Sequence, residues 1–150
     1  MKVQGEYSLP LPQQEAWDLL LDTEVLAHAL PGCQSLVPIG PDEYEMKLKM
    51  VIGSMKGLFA GKIRLEDRNP PASYRLVVDG NGKLGFVRGS GLLTLEPAGP
   101  ETRLQYAGEV QVGGLIASVG ERMLDMTTKM MIKRFFKALM AEAGGQGEDT

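Results

Sequence analysis

The strongest constraint on this chain lies in its last quarter. Gly113-Gly114 closes a run of short alternating segments, and apolar residues then recur at helical spacing from 115 to 143. Ile116, Val119, Met123, Met126 and Met130 form one stripe, which continues, shifted, through Met131, Phe135, Leu139 and Met140. A helix there would be about 40 Å long at ~1.5 Å per residue. Such a helix is marginal alone in water, so this one must bury its stripe against something else. A long Met-rich helix after a set of strands predicts a sheet wrapped around it, and that wrap encloses an apolar space.

The preceding residues supply the sheet. Residues 2–9 alternate, with Val3, Gly5, Tyr7 and Leu9 on one face, the pattern of a half-buried strand. Pro12 suits the first position of a helix, and Trp17, Leu20 and Leu21 give 13–21 helical spacing. A second short helix over 23–30 is stopped by Pro31-Gly32. Six strands are then predicted, over 33–39, 43–55, 58–67, 74–79, 85–96 and 102–112. In 43–55, Tyr44, Met46, Leu48, Met50 and Ile52 share a face, while Glu43, Glu45, Lys47 and Lys49 take the other. In 85–96, Val87, Gly89, Gly91, Leu93 and Leu95 share a face and Arg88 lies opposite. The order β-α-α-β-β-β-β-β-β-α places the chain in the α+β class. Many of its 19 glycines lie in or beside these strands, where they permit sharp curvature.

A chain of 150 residues is long enough for one domain with a real core, expected over 1–143, with a polar tail over 144–150 expected to be disordered. A net charge of −3 argues against nucleic acid, whose binding needs many phosphate-neutralising cations. The single cysteine, Cys33, allows no internal disulfide and suits a reducing compartment. The opening MKVQGEYSLP has no apolar signal region, and no run approaches the roughly 18 apolar residues of a membrane span. These features predict a cytoplasmic protein.

Four patterns invite chemistry. Gly80-Asn81-Gly82-Lys83-Leu84-Gly85 matches the spacing of a dinucleotide-binding loop, but that loop needs a helix next and Phe86–Glu96 reads as a strand; a hairpin turn near Asp79-Gly80 fits better. His28 and Cys33 are the only residues of their kinds, too few for a zinc site and without an orienting third group for a catalytic dyad. Lys129, Lys133 and Lys137 repeat at i+4 with Arg134 beside them, a solvated face or a dock for an anionic membrane or acidic partner. Arg88 reads as a surface residue, unless a bulge at the flanking glycines turns it inward toward a ligand carbonyl.

With this layout, the chain resembles the carbon monoxide dehydrogenase G-subunit family, a branch of the helix-grip superfamily that includes START-like lipid-transfer and polyketide cyclase-like domains. The residues carrying the resemblance are Ala29-Leu30-Pro31-Gly32-Cys33, Asp42-Glu43-Tyr44, Gly57-Leu58-Phe59-Ala60-Gly61, Pro70-Pro71, Gly85-Phe86-Val87-Arg88-Gly89, Tyr106-Ala107-Gly108 and Gly114 to Gly120. The resemblance implies a helix-grip fold: a curved antiparallel sheet of about seven strands around the C-terminal helix, with a cavity between. It also implies a non-catalytic accessory role beside molybdenum hydroxylases of the carbon monoxide dehydrogenase type, in membrane recruitment or the handling of a quinone-like carrier. Longer members continue into an apolar anchoring tail, whereas the residues here end in a polar one.

The resulting expectation is a protein that binds a hydrophobic small molecule, quinone-like or lipid-like, with no metal and no other cofactor. Its cavity candidates are Met46, Leu48, Met50, Phe59, Ile63, Phe86, Met123, Met126 and Met130, methionine being common on permissive apolar surfaces. A second reading is a ligand-free adaptor that recruits oxidoreductase subunits, or touches the membrane peripherally, through Lys129, Lys133, Arg134 and Lys137. A third is a cyclase- or hydrolase-like enzyme, which the sequence supplies with no convincing acid–base pair.

Overall fold

A computed structural model describes the backbone of residues 1–148 and the side chains of residues 1–143. β1 (Lys2–Leu9) leads into α1 (Gln13–Leu20) and α2 (Thr23–Ala29). Then come β2 (Cys33–Gly40), β3 (Glu43–Ile52), β4 (Met55–Asn69), β5 (Ser73–Gly82), β6 (Gly85–Ala98) and β7 (Glu101–Gly113). A 3-10 turn (Leu115–Val119) precedes α3 (Glu121–Glu148).

The seven strands form one antiparallel, curved sheet in the order β1-β7-β6-β5-β4-β3-β2. The first two strands of the chain therefore occupy opposite edges, and α1 and α2 carry the chain between them. The α2 start is fixed by Asp22, whose carboxylate accepts from the backbone N–H groups of Glu24 and Val25 at 3.0 and 3.3 Å. The buried Thr102 hydroxyl donates to the Leu11 carbonyl at 2.7 Å and ties the loop before α1 to β7. α3 lies against the sheet, touching β1 on one side and α2 and β3 on the other.

β4, β5 and β6 run past the bounds read from the sequence, and two further boundaries differ from that reading. Strand 43–55 stops at Ile52, because Gly53 adopts φ 60° and turns the chain with Ser54 into β4. The single helix expected over 115–143 is broken: Gly114 and Gly120 have φ of 83° and 94°, and only a 3-10 turn fits between them. The G-x-G-x-x-G segment is a hairpin, with Gly82 paired to Gly85 and the turn at Lys83-Leu84 rather than near Asp79-Gly80. The side chains of 144–150, expected as a disordered tail, and the whole of 149 and 150 lie outside the described residues.

Apolar side chains gather in three clusters. The largest joins α1, β1, β6, β7 and α3 through Leu9, Trp17, Leu95, Leu104, Phe136 and Leu139. A second, under α2, is built on Leu36, Met46 and Ile63. The third closes the hairpin end with Ile52, Phe59 and Ile116. Together these three leave the middle of the sheet uncovered.

Candidate functional site

The space between the clusters is a cavity of about 370 Å³. Strand parity builds its walls. Met46, Leu48 and Met50 of β3 point inward beside Phe59 and Ile63 of β4. Its roof is α3, which presents Thr128, Met131, Ile132 and Phe135. The floor owes its depth to glycine. Register aligns Leu76, Gly91, Gly108 and Val3 across four strands, so two neighbouring positions carry no side chain. A Cβ on Gly108 would lie 2.7 Å from the Gly91 Cα, so main chain itself forms the bottom of the chamber there.

The lining is overwhelmingly apolar. Its inward polar side chains are the phenols of Tyr44, Tyr74 and Tyr106 and the hydroxyl of Thr128. Ser90 and Glu109 also border it, but both are on the outward parity of their strands and exposed, which leaves only their backbone facing inward. Among the described residues none of the three phenols has a hydrogen-bond partner, and no buried side-chain polar atom lacks one, so these hydroxyls are open to the cavity or its rim. Burial pushes the Tyr74 phenol well above its ordinary range; the neighbouring Tyr44 phenol adds to that shift and Arg68 opposes it. Tyr106 is shifted upward mainly by burial, with Tyr7 contributing.

Of the nine candidates read from the sequence, Met46, Leu48, Met50, Phe59 and Ile63 line the cavity. The other four do not. Phe86 has the opposite parity from Val87: its ring lies on the outer surface over Gly113, beneath the Arg88 guanidinium at 4.7 Å. Met123 packs into the hairpin-end cluster with Ile52 and Phe59. Met126 and Met130 are 59% and 43% exposed on the outer side of α3. Of the stripe traced from the sequence, Met126 and Met130 thus fall on the outer side of the helix, while Met131 and Phe135 of its shifted continuation face the cavity together with Thr128 and Ile132. Tyr74 was legible, since it alternates with Leu76 and Val78; Tyr106 was legible by the same parity from Leu104. Ile132 carried no signal, because the turn set by Gly120 determines the rotation of α3.

Arg88 stays outside, 3.6 Å from the Asp79 carboxylate across the strand pair. Cys33 donates weakly to the Ser35 carbonyl at 3.5 Å, and burial raises its thiol pKa, the reverse of what a nucleophile needs. His28 is exposed. Among the described residues no three of His, Cys, Asp and Glu converge as metal ligands. On the outer face of α3, Lys129 pairs with Asp125 at 2.9 Å, while Lys133, Arg134 and Lys137 are exposed without an ion pair among the described residues. No described helix is long and apolar enough to cross a membrane.

Comparison with known proteins agrees with this architecture. A conserved protein of Geobacillus kaustophilus is 35% identical, covers 97% of this chain and 96% of its own, and superposes with a TM-score of 0.92. A START superfamily protein from Mycobacterium smegmatis covers 97% of this chain and 98% of its own, at 14% identity and a TM-score of 0.76. The Zhui aromatase/cyclase from Streptomyces sp. R1128 covers 96% and 93%, at 13% identity and a TM-score of 0.68. The latter two establish the helix-grip fold alone. No curated protein sequence matches the chain. The family model for the G subunit of carbon monoxide dehydrogenase (CoxG) matches residues 5–144, nearly the whole described chain, and the chain belongs to that family.

Proposed function

We propose that this protein binds a hydrophobic small molecule, quinone-like or lipid-like, in the cavity beneath α3, and holds or delivers it without transforming it, as an accessory to an oxidoreductase of the carbon monoxide dehydrogenase type. The observation that carries this reading is the cavity itself. It holds about 370 Å³, is walled almost wholly by apolar groups and is partly open to solvent, so water that enters it finds few hydrogen-bond partners. An apolar chamber of that size is therefore stabilised by an apolar occupant. Its lining offers no histidine, lysine or arginine and no inward carboxylate, hence no acid–base pair for the chemistry of a cyclase. Family membership supports the partner class. Native mass spectrometry of the purified protein, followed by solvent extraction and identification of the released compounds, tests the reading. A stoichiometric apolar compound supports it; a homogeneous ligand-free protein that takes up no added quinone or neutral lipid overturns it.

A second reading rests on the outer face of α3. Lys129 is held by Asp125, but Lys133 and Lys137 are like charges at i, i+4 with no ion pair among the described residues, an arrangement that weakens a helix unless a counter-charge is supplied. Two exposed methionines, Met126 and Met130, lie among them. Such a strip fits an anionic lipid surface, which would bring the cavity to the membrane where apolar ligands reside. Flotation with vesicles of phosphatidylglycerol against vesicles of phosphatidylcholine tests it; salt-sensitive binding to the former alone, lost in Lys133→Glu/Lys137→Glu, is the expected result.

A further inference from the structure

We propose that the cavity selects an uncharged ligand that carries a hydrogen-bond acceptor, and that Tyr44 and Tyr74 donate to that acceptor. The inference rests on the reading of the cavity as a ligand site and narrows the class of occupant to neutral carbonyl compounds, ethers and esters, excluding carboxylates, phosphates and ammonium ions.

The inward lining contains no charged side chain. An ionised group moved from water into such a space loses its hydration and gains no counter-charge. Arg68 is the cation whose charge opposes the upward shift of the Tyr74 phenol. That guanidinium is already committed: it is bound to Asp42 at 2.5 Å, stacks 5.9 Å from the Trp17 ring and is absent from the lining. An anion entering the chamber therefore finds no free partner, and a cation finds no carboxylate.

What the chamber does offer is donors. Tyr44 and Tyr74 both line this cavity, and the Tyr44 phenol adds to the burial that holds the Tyr74 phenol in its neutral O–H form. Neither is engaged by another described residue. A phenol held in its protonated form is a lasting donor, and a desolvated donor favours an acceptor over an apolar surface. The apolar body of the ligand then extends toward the glycine floor and Met131.

The test uses displacement of Nile red, a neutral fluorescent probe, from the full chain at pH 8 by decane, methyl decanoate and decanoate, each below its aggregation limit. Methyl decanoate should displace the probe at a concentration at least about thirty-fold lower than decanoate, the scale of an unpaired buried charge. In Tyr44→Phe and Tyr74→Phe the ester should weaken several-fold while decane is unchanged, a split that general loosening of the fold does not produce. Decanoate displacing as well as its ester overturns neutral selection and leaves the carrier reading standing. Ester and decane weakening together in the Phe variants, or neither changing, overturns the donor role. Failure of the wild-type chain to take up Nile red overturns the carrier reading, and this inference with it.

Discussion

The rings of Tyr7 and Phe136 stack with centroids 4.3 Å apart and planes inclined by 23°, which fastens the edge strand β1 to α3. Tyr106 continues the stack at 5.6 Å from Phe136. Tyr106 and Phe136 also border the cavity, and α3 keeps its place over the sheet partly through this trio.

Phe136 is 4% exposed, and its removal leaves a void between three aromatic neighbours. Phe136→Ala should lower stability by about 3–5 kcal/mol, read from urea unfolding midpoints at unchanged m-value. A loss below about 1 kcal/mol would mean that α3 is held chiefly by other contacts.

Glycine substitutions on the cavity floor should have opposite signs. A Cβ on Gly80 would meet nothing nearer than 4.0 Å, so Gly80→Ala should be neutral or gain up to about 1 kcal/mol by restricting the unfolded chain. A Cβ on Gly108 would strike the Ser90 carbonyl as well as Gly91, so Gly108→Ala should lose more than about 1 kcal/mol. Parallel thermal melts of the two variants decide it.

The corrected placement of the methionines is directly measurable. Met126→Ser/Met130→Ser should alter stability by no more than about 0.5 kcal/mol per site, because both side chains are exposed. Met46→Ala, at a position 4% exposed, should lose about 2–5 kcal/mol. Equal losses would show that α3 is rotated from the orientation described.

Alkali should destabilise the fold through Tyr74. Its folded pKa lies above its unfolded value of roughly 10, so the native state keeps a proton that the unfolded state releases. The stabilisation is complete below pH ~10 and is lost as pH rises beyond it, by up to about 1.4 kcal/mol per pH unit for this one phenol. Urea unfolding at pH 9, 10 and 11 should show that decline, and Tyr74→Phe should flatten it.

Strand phase was the most legible part of this protein. Two-residue alternation in β3 places Met46, Leu48 and Met50 on the cavity side without any knowledge of tertiary structure, because a half-buried sheet leaves side chains only two directions. The same rule, applied consistently, also excludes Phe86, whose parity opposes that of Val87. The helix was harder. A surface helix offers many rotations about its axis, and methionine is tolerated on both its wet and dry sides. What fixes α3 is backbone geometry at Gly114 and Gly120, where positive φ ends one helical segment and re-aims the next, and composition does not disclose that angle. Tyr44 and Tyr74 sit on β3 and β5, which are separated by β4, and that both reach one chamber leaves little local trace in the sequence.

The strand order carries one further consequence, for biosynthesis. Lys2 pairs with Glu109 and Leu9 with Thr102, so β1 leaves the ribosome with no hydrogen-bonding neighbour until about a hundred further residues have been translated. Until then β1 is an unpaired ribbon with Tyr7 and Leu9 uncovered, open to association with other nascent chains. Sealing of the barrel-like grip is thus a late event, and its timing is written into the order in which the two partner strands are made.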